Sequence, residues 1–160
     1  MSRSLDRFRA AAVELGVAVE IRRFTQETRT AQDAAGALGC DIGQIVKSLV
    51  FMADGEPMVA LTSGANRVDP DRLAAALGAA EVRRANPEEA RRETGFAIGG
   101  TPPFGHVRRL RIVFDPDLLR HRVVWAAAGT PDSVFPIGPT QLVEAAGAEV
   151  IDFTTTSGIA

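Results

Sequence analysis

The sequence is poor in several residue types on which common protein sites depend. Cys40 is the single cysteine among 160 residues, which excludes an intramolecular disulfide and a cysteine-cluster metal site. Tyrosine is absent and Trp125 is the single tryptophan, so an aromatic platform for stacking nucleic-acid bases is poorly supported. No motif indicates a metal or a cofactor, and we expect neither.

The net charge is small, and long apolar segments are absent. The formal net charge is −2, which argues against non-specific binding along a duplex and leaves a local cationic patch open. No apolar run approaches the roughly 20 residues of a membrane span, and residues 1–16 carry charges throughout, unlike a secretory signal. We therefore expect a cytoplasmic protein, with a length typical of one domain.

Hydrophobic periodicity and turn residues predict an α/β fold, a single compact domain with a mixed β-sheet and surrounding helices. Two apolar runs flank the turn sequence ADGEP, so residues 46–63 are predicted to form a β-hairpin. Capping residues and terminal glycines predict helices, and these cover residues 4–15, 30–39, 69–78, 86–95 and 138–147. Further strands are predicted within 17–24, 109–115, 122–129 and 148–153. The domain is placed at residues 1–153, with a flexible tail at 154–160.

One lysine stands inside the first strand of the predicted hairpin. Of 18 basic residues, 17 are arginine and only Lys47 is lysine. Strand alternation puts Lys47 on one face with Leu49 and Phe51, where its stem can follow the core edge while the ammonium reaches water. Arginine would serve that role equally well, whereas lysine offers a compact charge whose pKa burial lowers. A structural and a chemical role are both open.

Residues 95–105, GFAIGGTPPFG, contain four glycines and two prolines and cannot form a regular element. In one interpretation the glycines let backbone amides converge on an anion or a carbonyl oxygen. In the other, the two prolines make a rigid crossover. The segment matches neither a P-loop nor a dinucleotide-binding fingerprint.

Other polar residues are weaker candidates. His106 and His121 have no partner at metal-ligand spacing and are expected at the surface, and Ser48 and Ser63 have no evident triad. A basic cluster after the glycine-rich segment could meet phosphates, although a solvated strand face is the commoner explanation; its members are Arg108, Arg109 and Arg111.

Four stretches of the chain together resemble a known family. They are TAQDAAGALGCDIGQIVKSLVF, LTSGANRVDPDRLAAALG, TGFAIGGTPPFG, and AAAG followed by the last predicted helix, and they span roughly residues 25–150. This pattern resembles the YbaK/ProX-type aminoacyl-tRNA deacylases, also found as the editing domain of bacterial prolyl-tRNA synthetases. The lysine-bearing strand and the Gly-x-x-x-Pro loop at residues 99–103 are specific in combination.

The resemblance implies a cleft that holds the 3′ end of a mischarged tRNA and hydrolyses the ester to the terminal adenosine. Lys47 falls on the family's essential lysine and is the catalytic candidate. The candidate substrate-binding residues are Ser48, Ser63, Gly99, Gly100, Thr101, Pro103 and Gly129. Amides around Gly99 and Gly100 could stabilise charge on the carbonyl oxygen, and Lys47 could orient the 3′-terminal phosphate, the carbonyl or the attacking water.

Three functions therefore compete. The first is a freestanding trans-editing hydrolase that acts on mischarged tRNA, with an aminoacyl-tRNA synthetase as a further expected partner. The second is a non-catalytic module that binds an aminoacyl-tRNA or a synthetase, and the third is an unrelated hydrolase or nucleotide-binding domain on a similar fold. The net charge of −2 indicates weak or partner-assisted binding of tRNA. Leu49, Phe51 and Ile98 are candidate walls of the amino-acid pocket.

Overall fold

The computed structural model describes residues 3–25, 28 and 30–156. Its α-helices are α1 (Arg3–Glu14), α2 (Ala31–Leu38), α3 (Pro70–Leu77), α4 (Pro87–Thr94) and α5 (Pro139–Ala146), and its 3₁₀ turns are Ile42–Gln44 and Pro116–Arg120. The strands are β1 (Arg22–Arg23), β2 (Val46–Ala53), β3 (Glu56–Ser63), β4 (Asn66–Val68), β5 (Val82–Arg84), β6 (Arg111–Phe114), β7 (Val124–Ala127), β8 (Ser133–Ile137), β9 (Glu149–Val150) and β10 (Thr154–Thr156). No helix of the described ranges is both long and apolar enough to cross a membrane.

The main sheet is mixed, as the sequence predicts. Its five strands lie in the order β5-β2-β3-β6-β9, with antiparallel pairing on the β2 side of β3 and parallel pairing on the β6 side. The predicted hairpin is confirmed and runs in register from Val46 opposite Ser63 to Ala53 opposite Glu56. Asp54 and Gly55 close it with φ values of 50° and 82°, which suits the twist of a two-residue hairpin turn.

The two faces of this sheet are buried in separate apolar clusters. The larger cluster includes Val46, Val50 and Met52 of β2 and the helix α1. The smaller cluster includes Phe51, with Leu49 packed against it. The predicted alternation along β2 is therefore confirmed, and Lys47 belongs to the face of the smaller cluster.

A second, three-stranded sheet in the order β1-β8-β7 packs beside β2. The sequence prediction missed β8 and assigned all of residues 17–24 to a strand, of which only Arg22–Arg23 pairs. The strand β1 has two residues, and its partner β8 lies more than a hundred residues away in sequence, whereas β8 also pairs with the nearby β7. Local periodicity does not carry such pairings.

The predicted tail differs from the structure. Residues 154–156 form β10, which pairs antiparallel with β4, so the prediction of a flexible segment is wrong for these residues. Three consecutive threonines suit a strand, but the partner strand that orders them precedes them by almost ninety residues. Residues 157–160 lie outside the described part of the chain.

Candidate functional site

A cleft of about 600 Å³ opens along the free part of the β2 edge. The strand β5 pairs with Phe51–Ala53, the Ala85 amide after it donates to Val50, and Trp125 of β7 forms a bridge to Ile45 just before β2, so residues 46–49 pair with no strand on this edge. Residues 46–50 form one wall of the cleft. An apolar wall comes from Phe24, Ala31, Ala34 and Trp125. The rim consists of Ile98, Gly99 and Thr101 in one loop, Pro131 in a second loop, and Ser133 at the start of β8.

Lys47 lies in this cleft, and no carboxylate of the described residues pairs with its ammonium group. Its Nζ donates a hydrogen bond of 2.6 Å to the main-chain oxygen of Asn66, a neutral acceptor. Burial lowers the pKa of Lys47, as do the nearby charges of Arg84 and Arg67, while Asp115 acts in the opposite direction. The site therefore presents a half-buried cation whose charge is available to a ligand.

Arg84 is a second cation on the cleft, and the sequence analysis missed it. It lies opposite Phe51 in the pairing of β2 with β5, and its guanidinium stacks on the Phe51 ring at 5.6 Å from the centroid. Among the described residues it has no ion pair, whereas the adjacent Arg83 binds both carboxylate oxygens of Glu89 at 2.8 and 2.7 Å. With sixteen other arginines in the sequence, no local signal distinguishes Arg84.

Ser48 contributes an unusual group to the cleft wall. Its Oγ is buried and has no hydrogen-bond partner within the described residues. An unpaired buried hydroxyl costs folding free energy, and such groups in native proteins call for an explanation such as a missing ligand. Thr101 also lines the cleft, but its hydroxyl is used by the main-chain oxygen of Ala97 at 3.1 Å.

The glycine-rich loop reaches the cleft through Gly99, whose φ of 87° favours glycine. The amide of Gly100 is not free, because it donates to the main-chain oxygen of Ala97 at 3.0 Å. A Cβ at Gly100 would come within 2.8 Å of main-chain atoms of Thr130. Gly100 thus permits close packing of the two loops that form the rim, whereas the amide of Gly99 makes no hydrogen bond within the described residues.

Four other predicted substrate-binding residues differ in position from the expectation. Ser63 is buried and donates from its hydroxyl to the main-chain oxygen of Gly43 at 3.0 Å. Pro103 and Gly100 are buried in the loop behind the rim, and Gly129 packs against Ser4 and Phe96. None of them lines the cleft.

The basic cluster after the loop does not reach the cleft. Arg108 pairs with Glu93 at 2.6 Å and Arg111 with Glu149 at 2.7 Å, both at the surface. The exposed Arg109 does not line the cleft either. The cations among the described residues that line the cleft are Lys47 and Arg84.

The prediction of a surface position is wrong for His106. It is half-buried, and its Nε2 lies 2.8 Å from the main-chain oxygen of Pro102, so that it braces the glycine-rich loop. Burial lowers the pKa of His106 below its ordinary value, against a smaller opposing effect of this hydrogen bond. Within the described ranges, no group of three or more histidine, cysteine, aspartate or glutamate residues is arranged to hold a metal ion.

Comparison with known proteins assigns the chain to a family. The model of the aminoacyl-tRNA editing domain matches residues 25–145, about three quarters of the chain. The chain belongs to the aminoacyl-tRNA editing domain family. This editing domain shares 42% sequence identity and a TM-score of 0.91 with the crystal structure of a candidate trans-editing enzyme for prolyl-tRNA synthetase, with 99% of each chain covered.

Two curated relatives that share this domain differ greatly in the share of their length that it covers. The YwhH protein of Bacillus subtilis, which is uncharacterised, is 28% identical over 126 residues, covering 78% of this chain and 80% of that protein. The proline–tRNA ligase of Elusimicrobium minutum is 36% identical over 99 residues, which cover 62% of this chain and 17% of the ligase. The similarity to the ligase is thus confined to one segment of a much longer protein.

Proposed function

We propose that this protein is a freestanding trans-editing hydrolase that cleaves the ester bond of mischarged aminoacyl-tRNA and releases the wrong amino acid. The observation that carries the proposal is the single lysine of the chain, held half-buried in the cleft with a neutral hydrogen-bond acceptor. Membership of the editing-domain family supports the reaction class. The proposal assigns Lys47 the catalytic role.

The charges at the cleft suit the 3′ end of a tRNA. The amino acid's carboxyl group is consumed in the ester, so the anions near the reacting bond are the phosphodiesters of the terminal nucleotides. Lys47 and Arg84 provide two cations that have no carboxylate partner among the described residues, and a guanidinium can bind two phosphate oxygens at once. Arg84 thereby supports binding of the acceptor end by a protein whose net charge is −2.

The hydrolysis itself needs stabilisation of the negative charge that develops on the ester carbonyl oxygen. Attack of water on the ester carbonyl gives a tetrahedral intermediate with an oxyanion, which preorganised donors stabilise. We assign this stabilisation to the Lys47 ammonium and the Gly99 amide, because both residues line the cleft. An activated ester needs less help than an amide, so the reaction requires no nucleophilic triad.

The first test is deacylation of Ala-, Cys- and Ser-tRNA, prepared on the proline tRNA because the relatives include proline–tRNA ligases. We expect hydrolysis of at least one by the wild type, and a fall of at least about a hundredfold in kcat/KM for Lys47→Ala and Lys47→Arg. Arg109→Ala is the matched control, because it removes an exposed charge outside the cleft.

Three results would overturn parts of this proposal. An inactive wild type that still binds the charged tRNA would favour the accessory-binding alternative. Turnover of simple esters without affinity for tRNA would favour an unrelated hydrolase. A Lys47→Arg variant as fast as the wild type would remove the catalytic role of Lys47 while leaving the deacylase activity in place.

A further inference from the structure

A buried carboxylate lies behind Lys47 and is connected to it through one residue. Asp115 follows the last residue of β6 and is only 1% exposed. Its Oδ2 accepts from the Ser63 amide at 3.0 Å and from Asn66 Nδ2 at 2.9 Å, and its Oδ1 accepts from the Asp117 amide at 2.9 Å. Burial of such a group is costly unless its hydrogen bonds are satisfied, and here both oxygens are used.

Asn66 connects this carboxylate to the cleft. Its side-chain amide is held by Asp115 and by Asp117 Oδ2 at 2.8 Å, while its main-chain oxygen accepts from Lys47 Nζ at 2.6 Å. The turn before it is fixed at Ser63, whose amide also binds Asp115. The position of the Asn66 carbonyl therefore depends on Asp115 at two points.

We propose that Asp115 is a positioning residue for Lys47, acting through Asn66: its carboxylate fixes the turn at residues 63–66 so that the Asn66 carbonyl holds the Lys47 ammonium at the cleft. A direct ion pair would occupy the ammonium with a charged partner. With Asn66 between them, the ammonium is oriented by a neutral oxygen and its charge stays available to the substrate. The catalytic consequence rests on the proposed function, whereas the effect on Lys47 itself does not.

The charges around Lys47 determine the sign of the expected effect. Arg84 on β5 and Arg67 on β4 disfavour its protonated form, and the carboxylate of Asp115 favours it. Asp117 is the other carboxylate of the cluster and binds the same amide of Asn66. Loss of the Asp115 charge should therefore move the pKa of Lys47 further down, because burial and the two arginines then act with less opposition.

The single lysine makes this measurable without resonance assignment. Growth on ¹³C-labelled lysine gives one labelled side chain, Lys47, whose pKa follows from the chemical shift as pH is varied. We expect the pKa to fall in Asp115→Asn and to stay at the wild-type value in Asp69→Asn. Asp69 is the matched control because it is also an aspartate that accepts main-chain hydrogen bonds, here at the start of α3, and it forms no hydrogen bond or ion pair with Lys47, Asn66 or Asp115.

Unfolding cannot imitate this result. In an unfolded chain the lysine would titrate near its ordinary value of about 10.4, which is an upward change. The kinetics of deacylation should also change. We expect kcat of Asp115→Asn to fall about tenfold with little change in KM, because the catalytic group loses its orientation. The basic limb of the pH profile should move to lower pH, because the pKa of Lys47 is lower in this variant.

Each outcome decides one of the two proposals. A folded Asp115→Asn variant with the wild-type pKa of Lys47 overturns the positioning role. The expected fall in that pKa, combined with a wild type that hydrolyses no charged tRNA, supports positioning and overturns the proposed function. If Asp115→Asn does not fold, Asn66→Ala tests the positioning role instead, because it keeps the Asp115 carboxylate and removes the side-chain amide that binds it. A wild-type kcat in Asn66→Ala would overturn the positioning role.

Discussion

Substitution of Gly100 by alanine tests whether the two rim loops define the cleft. A Cβ at this position would lie 2.8 Å from both Cα and C of Thr130 and 3.0 Å from the nitrogen of Pro131. Ordinary contacts begin near 3.4 Å, so the two backbones must separate by at least about 0.6 Å. Backbone atoms cannot rotate away as a flexible side chain would, and the loops must move as units.

The expected cost follows from overpacking. Inserting a methyl group into a well-packed region costs about 1–3 kcal/mol, and about 2 kcal/mol corresponds to a fall in Tm of roughly 4–8 °C for a domain of this size. Since Gly99 and Pro131 belong to the same loops and line the cleft, we also expect kcat/KM for deacylation to fall by about tenfold.

Gly36→Ala is the matched control for this prediction. Gly36 lies on the exposed side of α2, and a Cβ there would have nothing within 4 Å. Alanine is favoured over glycine in a helix by roughly 0.5–1 kcal/mol, so the same substitution should raise the Tm slightly and leave activity unchanged. Thermal unfolding and steady-state deacylation measure both effects. A Gly100→Ala variant with wild-type Tm and wild-type kinetics would refute the reasoning.

Two further predictions concern charge. Arg84→Gln should weaken binding of a single-stranded CCA end about tenfold and reduce the slope of log K against log salt by about 0.7, as for one lost phosphate contact. Fluorescence anisotropy across a salt series measures both effects, and Arg109→Gln is expected to keep the wild-type slope. An unchanged slope in Arg84→Gln would contradict the phosphate contact. His106, whose pKa is lowered by burial, binds protons more readily in the unfolded chain, so stability should fall as pH drops below the unfolded pKa of about 6.5. His106→Gln should weaken that dependence in urea unfolding at pH 7.5 and 5, and an equal loss of stability in both proteins would contradict it.

Much of the fold follows from local signals in the sequence. The hairpin is marked by its turn sequence, and α4 by Asn86 and Glu89, which form a reciprocal capping box in the structure. The elements that were misjudged are short strands such as β1 and β10, which pair with strands far away in the chain. Burial and pairing of that kind are properties of the assembled fold, and no window of the sequence contains them.

The site was predictable in its chemistry and less so in its membership. Lys47 is conspicuous because it is the single lysine among 18 basic residues, and Gly99 because it lies in a glycine-rich segment. Both residues line the cleft. Gly100 and Gly129 lie behind the cleft, since a glycine required for close packing of backbones looks the same in sequence as one required for a ligand. Arg84 could not be identified, because an arginine's function here depends on whether a carboxylate faces it.

That dependence also explains how a chain with a net charge of −2 can offer a cationic cleft. The neighbours Arg83 and Arg84 are identical in sequence terms, yet one binds Glu89 with both of its terminal nitrogens and the other lies on an aromatic ring with no carboxylate partner among the described residues. An ion-paired arginine contributes little field at a distance, whereas an unpaired one beside a half-buried lysine acts on whatever enters the cleft. The electrostatic field at the cleft is therefore determined by which cations lack a carboxylate partner. Asp115 is connected to Lys47 only through Asn66, so its negative charge reduces the positive field at the cleft but does not neutralise it.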